Sequence, residues 1–204
     1  MMQKNAVPAI GLFIALSFIP AGLATGAGER MIFVPWKVLP PGVQQSPDYL
    51  LYLYWVPASP EQMRHSELIM STTLAQHAAR CVAMYVIRTD DEKRLEAFGE
   101  DIELPLAVLS DASGAELARV THHKGSLRTI AVENMVRDEV GLRQAAVEKR
   151  MEAARRHAAA HEWSQASLAY QDVVAQRCAF PRLARRAQKA LTKISSQITD
   201  HRSQ

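Results

Sequence analysis

The chain has 204 residues, of which 48% are hydrophobic and 22% are charged. This near-average composition excludes a disordered, collagen-like or coiled-coil protein, and the length predicts one domain with an appendage. The formal net charge of +3 is unevenly divided. Residues 1–141 hold 12 basic and 16 acidic side chains (net −4), whereas residues 142–204 hold 12 and 5 (net +7).

The N-terminal segment predicts export. Lys4 is followed by an uncharged apolar run over residues 6–28, and small residues offer cleavage after Ala24 or Ala27. We therefore expect residues 1–27 to be a signal peptide and the protein to be periplasmic or secreted. An uncleaved membrane anchor is the alternative, because about 20 apolar residues can span a bilayer.

Short apolar runs predict the strands of a sheet. Residues 49–55 and 82–87 lack polar alternation, which is typical of strands buried on both faces. A proline-rich lead-in over residues 28–47 allows one short edge strand, and residues 111–114 predict the turn of an antiparallel hairpin. In chain order, we predict strands at 32–34, 49–55, 82–87, 106–109 and 116–121.

Capping signals predict the helices that flank this sheet. Ser59 and Gln62 fit a capping box with Pro60 at the first helical position, and Thr89 with Glu92 repeats the pattern. Helices are predicted at 59–79 and at 89–98. A third helix, capped by Gly125-Ser126 and containing Leu127 and Val136, is predicted to cover the sheet face that the first leaves bare. The fold class is therefore α/β, with a mixed sheet flanked by helices.

A helical appendage is predicted over residues 142–200, where no strand signal occurs. Breaks at 161–162 and 180–181 divide it into about three helices. Trp163, Tyr170 and Pro181 resemble the second helix of a tetratricopeptide repeat. An ordinary alanine-rich helical hairpin accounts for the same residues equally well.

The element order over about residues 45–140 resembles the thioredoxin fold. Tyr54-Trp55 followed by Ser59-Pro60-Glu61-Gln62 is similar to the aromatic-Trp…Cys-x-x-Cys segment of TlpA-like thioredoxins, with Ser59 and Gln62 at the two cysteine positions. Pro105 stands where that family, and the related peroxiredoxins, place a cis-proline beside the active site. The resemblance implies a thioredoxin-like domain over residues 48–140, whose degenerate active site and peptide groove comprise Trp55, Ser59, Pro60, Gln62, Leu104 and Pro105.

The departure from that family concerns its chemistry. Disulfide exchange requires a thiolate at the first helix, whereas a serine hydroxyl stays protonated near neutrality without an adjacent base. His65 lies six positions after Ser59 and is expected to face solvent. We therefore expect Ser59 to be a helix cap and the protein to lack catalysis. By analogy with the family, the groove would still bind extended peptides.

Two further groups of residues are predicted to be structural. Cys81 and Cys178 are expected to be separate packed thiols, because a free cysteine usually behaves as a small hydrophobe. A bridge stays open as an alternative and requires Cα atoms within about 7 Å. His122-His123-Lys124 is expected at a solvated hairpin tip, because a metal site there lacks cysteine ligands. No metal and no cofactor are predicted.

The appendage carries a basic helical face, for which a solvated helix face is the default interpretation and partner binding is the functional one. An envelope protein with an acidic surface fits such a face, and a peripheral membrane contact is also compatible. Nucleic acid is disfavoured, because aromatic side chains are not interleaved with the charges. The face comprises Arg155, Arg156, Arg182, Arg185 and Arg186.

Three functions follow from these observations. The favoured one is an exported, redox-inactive thioredoxin-like protein that acts as an adaptor or assembly factor in the cell envelope. The second is a divergent thiol-disulfide oxidoreductase that uses Cys81 or Cys178. The third is a membrane-anchored subunit of a secretion or conjugation apparatus. The presence of Ser59 and Gln62 at the two cysteine positions of the thioredoxin motif favours the redox-inactive adaptor.

Overall fold

A five-stranded mixed sheet is the centre of the structure. The computed structural model describes residues 32–43, 49–99 and 101–202, with side chains described to residue 196. The predicted signal peptide therefore lies outside the described residues. The strands are β1 (Lys37–Val38), β2 (Leu51–Val56), β3 (Val82–Val86), β4 (Leu106–Asp111) and β5 (Glu116–Thr121).

The strand order is β1-β3-β2-β4-β5. β1 and β2 both run parallel to β3, whereas β4 is antiparallel to β2 and to β5. Val56 at the end of β2 pairs with Leu106 at the start of β4. The prediction of an α/β protein with a mixed sheet is thus confirmed.

Four of the five predicted strands lie where the apolar runs placed them, but the edge strand was wrong. Residues 32–34 are not a strand, because the Val34 N–H donates to the Ile69 carbonyl oxygen, 2.8 Å away, instead of pairing with the sheet. The edge strand is Lys37–Val38, which lies beside Tyr85 and Val86 of β3.

The helix predicted over residues 59–79 was also wrong, because it is three short segments. Ser66 ends the first segment and caps the second, and Ser71 caps the third. Their side-chain oxygens accept from the Leu68 nitrogen at 3.3 Å and from the Leu74 nitrogen at 3.0 Å. Such serines compete with the helix interior and favour caps. The segments are α1 (Pro60–His65), a 3₁₀ turn (Glu67–Ile69) and α2 (Thr72–Ala78).

The next helices begin later than their predicted caps. The capping box at Thr89 was wrong, because the helix begins at Glu92 with Asp91 at its N-cap position. The Gly-Ser cap was wrong as well, because the long helix begins at Thr129, after Arg128. The remaining helices are α3 (Glu92–Phe98), α4 (Thr129–Ala159), α5 (Trp163–Ala175) and α6 (Pro181–Arg202).

Helices cover both faces of the sheet, but not as predicted. Leu68, Leu74, Val132 and Val136 pack on the same face, so α4 shares the face of α2 instead of covering the opposite one. α3 covers the opposite face through Leu95 and Phe98. The residues of β2 alternate between these faces and are all buried, which explains the unbroken apolar run.

The C-terminal helices continue the sheet domain without a linker. The predicted boundary at residue 141 falls inside α4, which is one helix of 31 residues. Its C-terminal half packs with α5 and α6 around a second apolar cluster that includes Met151, Tyr170 and Phe180. The described residues form one compact unit. None of the described helices is both long enough and apolar enough to cross a bilayer.

Candidate functional site

Ser59 and Gln62 stand at the beginning of α1, just after β2. The Ser59 hydroxyl oxygen accepts a hydrogen bond from the Gln62 backbone N–H at 3.2 Å, so Ser59 is the helix cap that the sequence predicted. The Gln62 side-chain oxygen accepts from the Ala58 N–H at 2.7 Å, and its amide nitrogen donates to the Gly125 carbonyl at 2.8 Å. Both side chains therefore hold the first helix and fix it to the turn after β5.

A groove of 380 Å³ opens beside this helix start. It lies at the carboxyl ends of β2 and β3, the end of a parallel sheet where ligands commonly bind. Ser59 and Pro60 form one side, and the segment after β3, residues 88–90, forms the other. Sequence reasoning missed residues 88–90, although the carboxyl ends of adjacent parallel strands necessarily meet. The remaining residues that line the groove are all apolar: Val38, Pro57, Met63 and Val86.

The other predicted groove residues do not line this cavity. Trp55 is 1% exposed and packs against Trp36 with ring centroids 5.4 Å apart, so its side chain belongs to the core. Leu104 packs on the α3 face, and Pro105 is buried. The Leu104–Pro105 peptide bond is cis, as the resemblance implied. The pairing of Val56 with Leu106 places Pro105 at the same end of the sheet as Ser59.

The Ser59 hydroxyl is not hydrogen-bonded to a base within the described residues. None of the described hydrogen bonds connects its hydroxyl to a histidine or a carboxylate, and His65 is exposed. Nucleophilic catalysis by serine requires such a base. The contacts of Ser59 therefore support neither acyl transfer nor disulfide exchange.

Cys81 and Cys178 are joined by a disulfide, so the prediction of two separate thiols was wrong. Their Cα atoms are 5.7 Å apart, within the range that a bridge requires. Cys81 immediately precedes β3 and is buried, whereas Cys178 is exposed and lies in the segment between α5 and α6. Because the chain has two cysteines, no free thiol remains in the bridged protein.

The disulfide borders a cleft of 360 Å³ between the sheet and the C-terminal helices. Asp111 and Arg143 contribute opposite charges to this cleft. The Ser113 hydroxyl, which donates to the Asp111 carboxylate at 2.6 Å, lowers the pKa of Asp111, and backbone N–H groups of Ser113 and Ala115 add to the effect. The lowered pKa favours the ionised carboxylate, whose Oδ1 accepts all three of these hydrogen bonds within the turn.

The remaining candidate residues lie apart from both cavities. His122 is partly buried, accepts from the Gly125 N–H through Nδ1 at 3.1 Å, and lies 3.3 Å from Glu103. His123 and Lys124 are exposed. The predicted basic face divides between two helices: Arg155 and Arg156 are exposed on α4, and Arg182, Arg185 and Arg186 are exposed on α6.

Comparison with known proteins adds no relative. No protein-family model matches the sequence, and no curated protein matches it at a significant level.

Proposed function

We propose that this chain is an exported, thioredoxin-like protein that lacks disulfide exchange and acts as a protein-binding adaptor or assembly factor in the cell envelope. The mixed sheet with its parallel β2–β3 unit and antiparallel β4–β5 hairpin is compatible with a thioredoxin-like fold. The helices after the sheet are compatible with a tetratricopeptide-like tail that packs on the same unit.

The observation that carries the proposal is the bonding of Ser59 and Gln62. The two positions where the resemblance expects reactive sulfur hold a helix cap and an amide bonded on both sides. Since the groove beside them is open and mostly apolar, it offers a surface for a peptide segment without a nucleophile.

The disulfide supports export. Disulfides form and persist in oxidising compartments and are rare in the cytosol. A bridge between Cys81 and Cys178 is therefore consistent with the apolar N-terminal run as an export signal. The periplasm or the cell exterior is the proposed location.

A thiol-disulfide oxidoreductase is the second candidate, because Cys178 is exposed and the bridge borders an open cleft. Two features oppose it. Cys81 is buried, and it follows the carboxyl end of α2, where the helix dipole destabilises a thiolate.

A disulfide-exchange assay distinguishes the two candidates. The wild-type protein is expected not to accelerate reduction of a protein disulfide by a small dithiol. Ser59→Cys with Gln62→Cys is expected to gain that activity, whereas the matched Ser59→Ala, Gln62→Ala variant stays inactive. Wild-type activity that disappears in Cys81→Ala, Cys178→Ala would establish the oxidoreductase instead. Failure of the double-cysteine variant to gain activity would count against the thioredoxin-like assignment.

Partner binding is tested by site-specific photocrosslinking in the expressing cell. A crosslinker in place of Pro60 is expected to give a discrete protein adduct, because this residue lines the groove. The matched control replaces Arg150, which is exposed on α4 and pairs with Asp172. Equal adducts from both positions, or none from position 60, would refute binding at the groove.

A further inference from the structure

The outer face of α6 carries a continuous basic stripe, defined here as Arg182, Arg185, Arg186, Lys189 and Lys193. Four of these residues are spaced by four, three and four positions, which places them on one side of a helix with 3.6 residues per turn. All five are exposed. At 1.5 Å per residue, the stripe is about 16 Å long.

The core does not account for this stripe. The opposite side of α6 supplies the packing residues Ala184, Ala187 and Ile194, which are buried against the other C-terminal helices. The stripe therefore points away from the core, and its side chains are not needed to hold α6 in place.

The stripe cations are not neutralised within the described part of the chain. No ion pair of the described residues includes any of the five, whereas Arg150 pairs with Asp172 and Arg143 pairs with Glu139 in the same helical region. The first turn of α6 contains no acidic residue. The positive charge is thus concentrated on one face and available to an external anion.

The chemistry of the stripe favours a membrane over a protein surface. Protein interfaces usually depend on buried aromatic or apolar anchors, and none of the exposed large apolar residues in the described structure lies on α6. The exposed residues among the cations are polar, such as Gln188 and Thr192. A dense layer of phosphate groups needs no such anchor, and arginine binds phosphate through paired N–H donors.

We propose that the α6 basic stripe docks the protein on a membrane surface rich in anionic phospholipid headgroups. The contact is peripheral: cations meet lipid phosphates electrostatically, without insertion of apolar side chains. This inference does not depend on the function proposed for the groove, because it concerns another element and another ligand.

The test is co-sedimentation of the purified protein with vesicles of phosphatidylcholine alone or mixed with phosphatidylglycerol. Neutral vesicles measure any binding by the apolar N-terminal run, which all variants share. The wild type is expected to prefer the anionic vesicles and to lose this preference in high salt. Arg182→Gln, Arg186→Gln, Lys189→Gln should weaken anionic binding about 100-fold, since each of the three cations near a charged membrane contributes about a fivefold factor.

The matched control removes the same charge from elsewhere, through Lys93→Gln, Arg137→Gln, Arg150→Gln. These residues are also exposed but lie on α3 and α4, so the control is expected to keep anionic binding within about threefold of wild type. If both triple variants lost anionic binding equally, the binding would depend on net charge alone, and the proposal would be overturned. A wild type without anionic preference would also overturn it. Stripe-dependent binding to polyglutamate but not to vesicles would overturn it in favour of an acidic protein partner.

Discussion

Removal of the disulfide is expected to destabilise the protein strongly, because the bridge closes a long loop. Cys81 and Cys178 are separated by 97 positions. For a loop of this length, the lost entropy of the unfolded chain corresponds to about 4.7 kcal/mol at 25 °C. That is a large share of the stability of an ordinary domain, about 5–15 kcal/mol. Replacing both residues by alanine removes the bridge without leaving a free thiol.

Urea denaturation measures the effect with two probes. In a Trp163→Phe background, which removes the tryptophan of α5, tryptophan fluorescence reports on the sheet core through the Trp36–Trp55 pair. Far-ultraviolet circular dichroism reports mainly on the helices. With a slope of about 2 kcal/mol per molar urea, the midpoint of Cys81→Ala, Cys178→Ala should fall by about 2 M. The two probes should also separate, because the C-terminal helices lose their covalent link to β3.

Wild type treated with reductant is the matched control, and it should reach the midpoint of the double variant. The variant itself should not respond to reductant. A midpoint that changes by less than about 0.5 M, equivalent to about 1 kcal/mol, would show that the bridge does not constrain the fold in the way inferred from its loop length.

Three other perturbations follow from single side chains. Ser71→Ala should cost about 2 kcal/mol by urea denaturation, because the buried hydroxyl caps α2 and donates to Glu133 of α4 at 2.6 Å; Ser66→Ala, which removes a cap alone, should cost less. Burial, with Arg80 and Arg137 nearby, lowers the pKa of His77, so stability should fall as the pH drops below 6.5, where the unfolded chain takes up the proton, and His77→Gln should flatten that dependence. Asp111→Ala should lower the melting temperature at neutral pH. The difference from wild type should shrink as the pH falls below 3.8, where the unfolded chain takes up the proton first, and should vanish once the folded carboxylate is protonated as well.

The strands could be predicted because their signal is local. A run without polar alternation, such as Leu51–Val56, has few alternatives to a strand buried on both faces. The helices were harder, because capping residues are common and the same serine can begin one helix or end another. Ser66 and Ser71 stood inside an otherwise helical pattern, and the structure uses both as caps. The face covered by α4 depends on tertiary packing, which periodicity alone does not determine.

The helix start at the candidate site was predictable, but most residues that line the groove were not. The spacing around Pro60 predicted the cap, and the structure confirms it. The opposite side of the groove comes from residues 88–90, which are distant in sequence from the motif. The disulfide was unpredictable for a similar reason: a separation of 97 positions carries no information about the distance between two side chains. Only the packing of the C-terminal helices on the sheet brings Cys178 to Cys81.

The position of the bridge argues against cooperation between the groove and the sulfur pair. Ser59 follows the carboxyl end of β2, whereas Cys81 precedes the amino end of β3, and the two strands are parallel. At about 3.3 Å per residue, the six residues of β2 separate these ends by about 20 Å. A disulfide held in the groove therefore lies too far from Cys81 and Cys178 for direct exchange, because the sulfur atoms must come into contact. The disulfide in this protein connects the C-terminal helices to the sheet, at the end opposite to the groove.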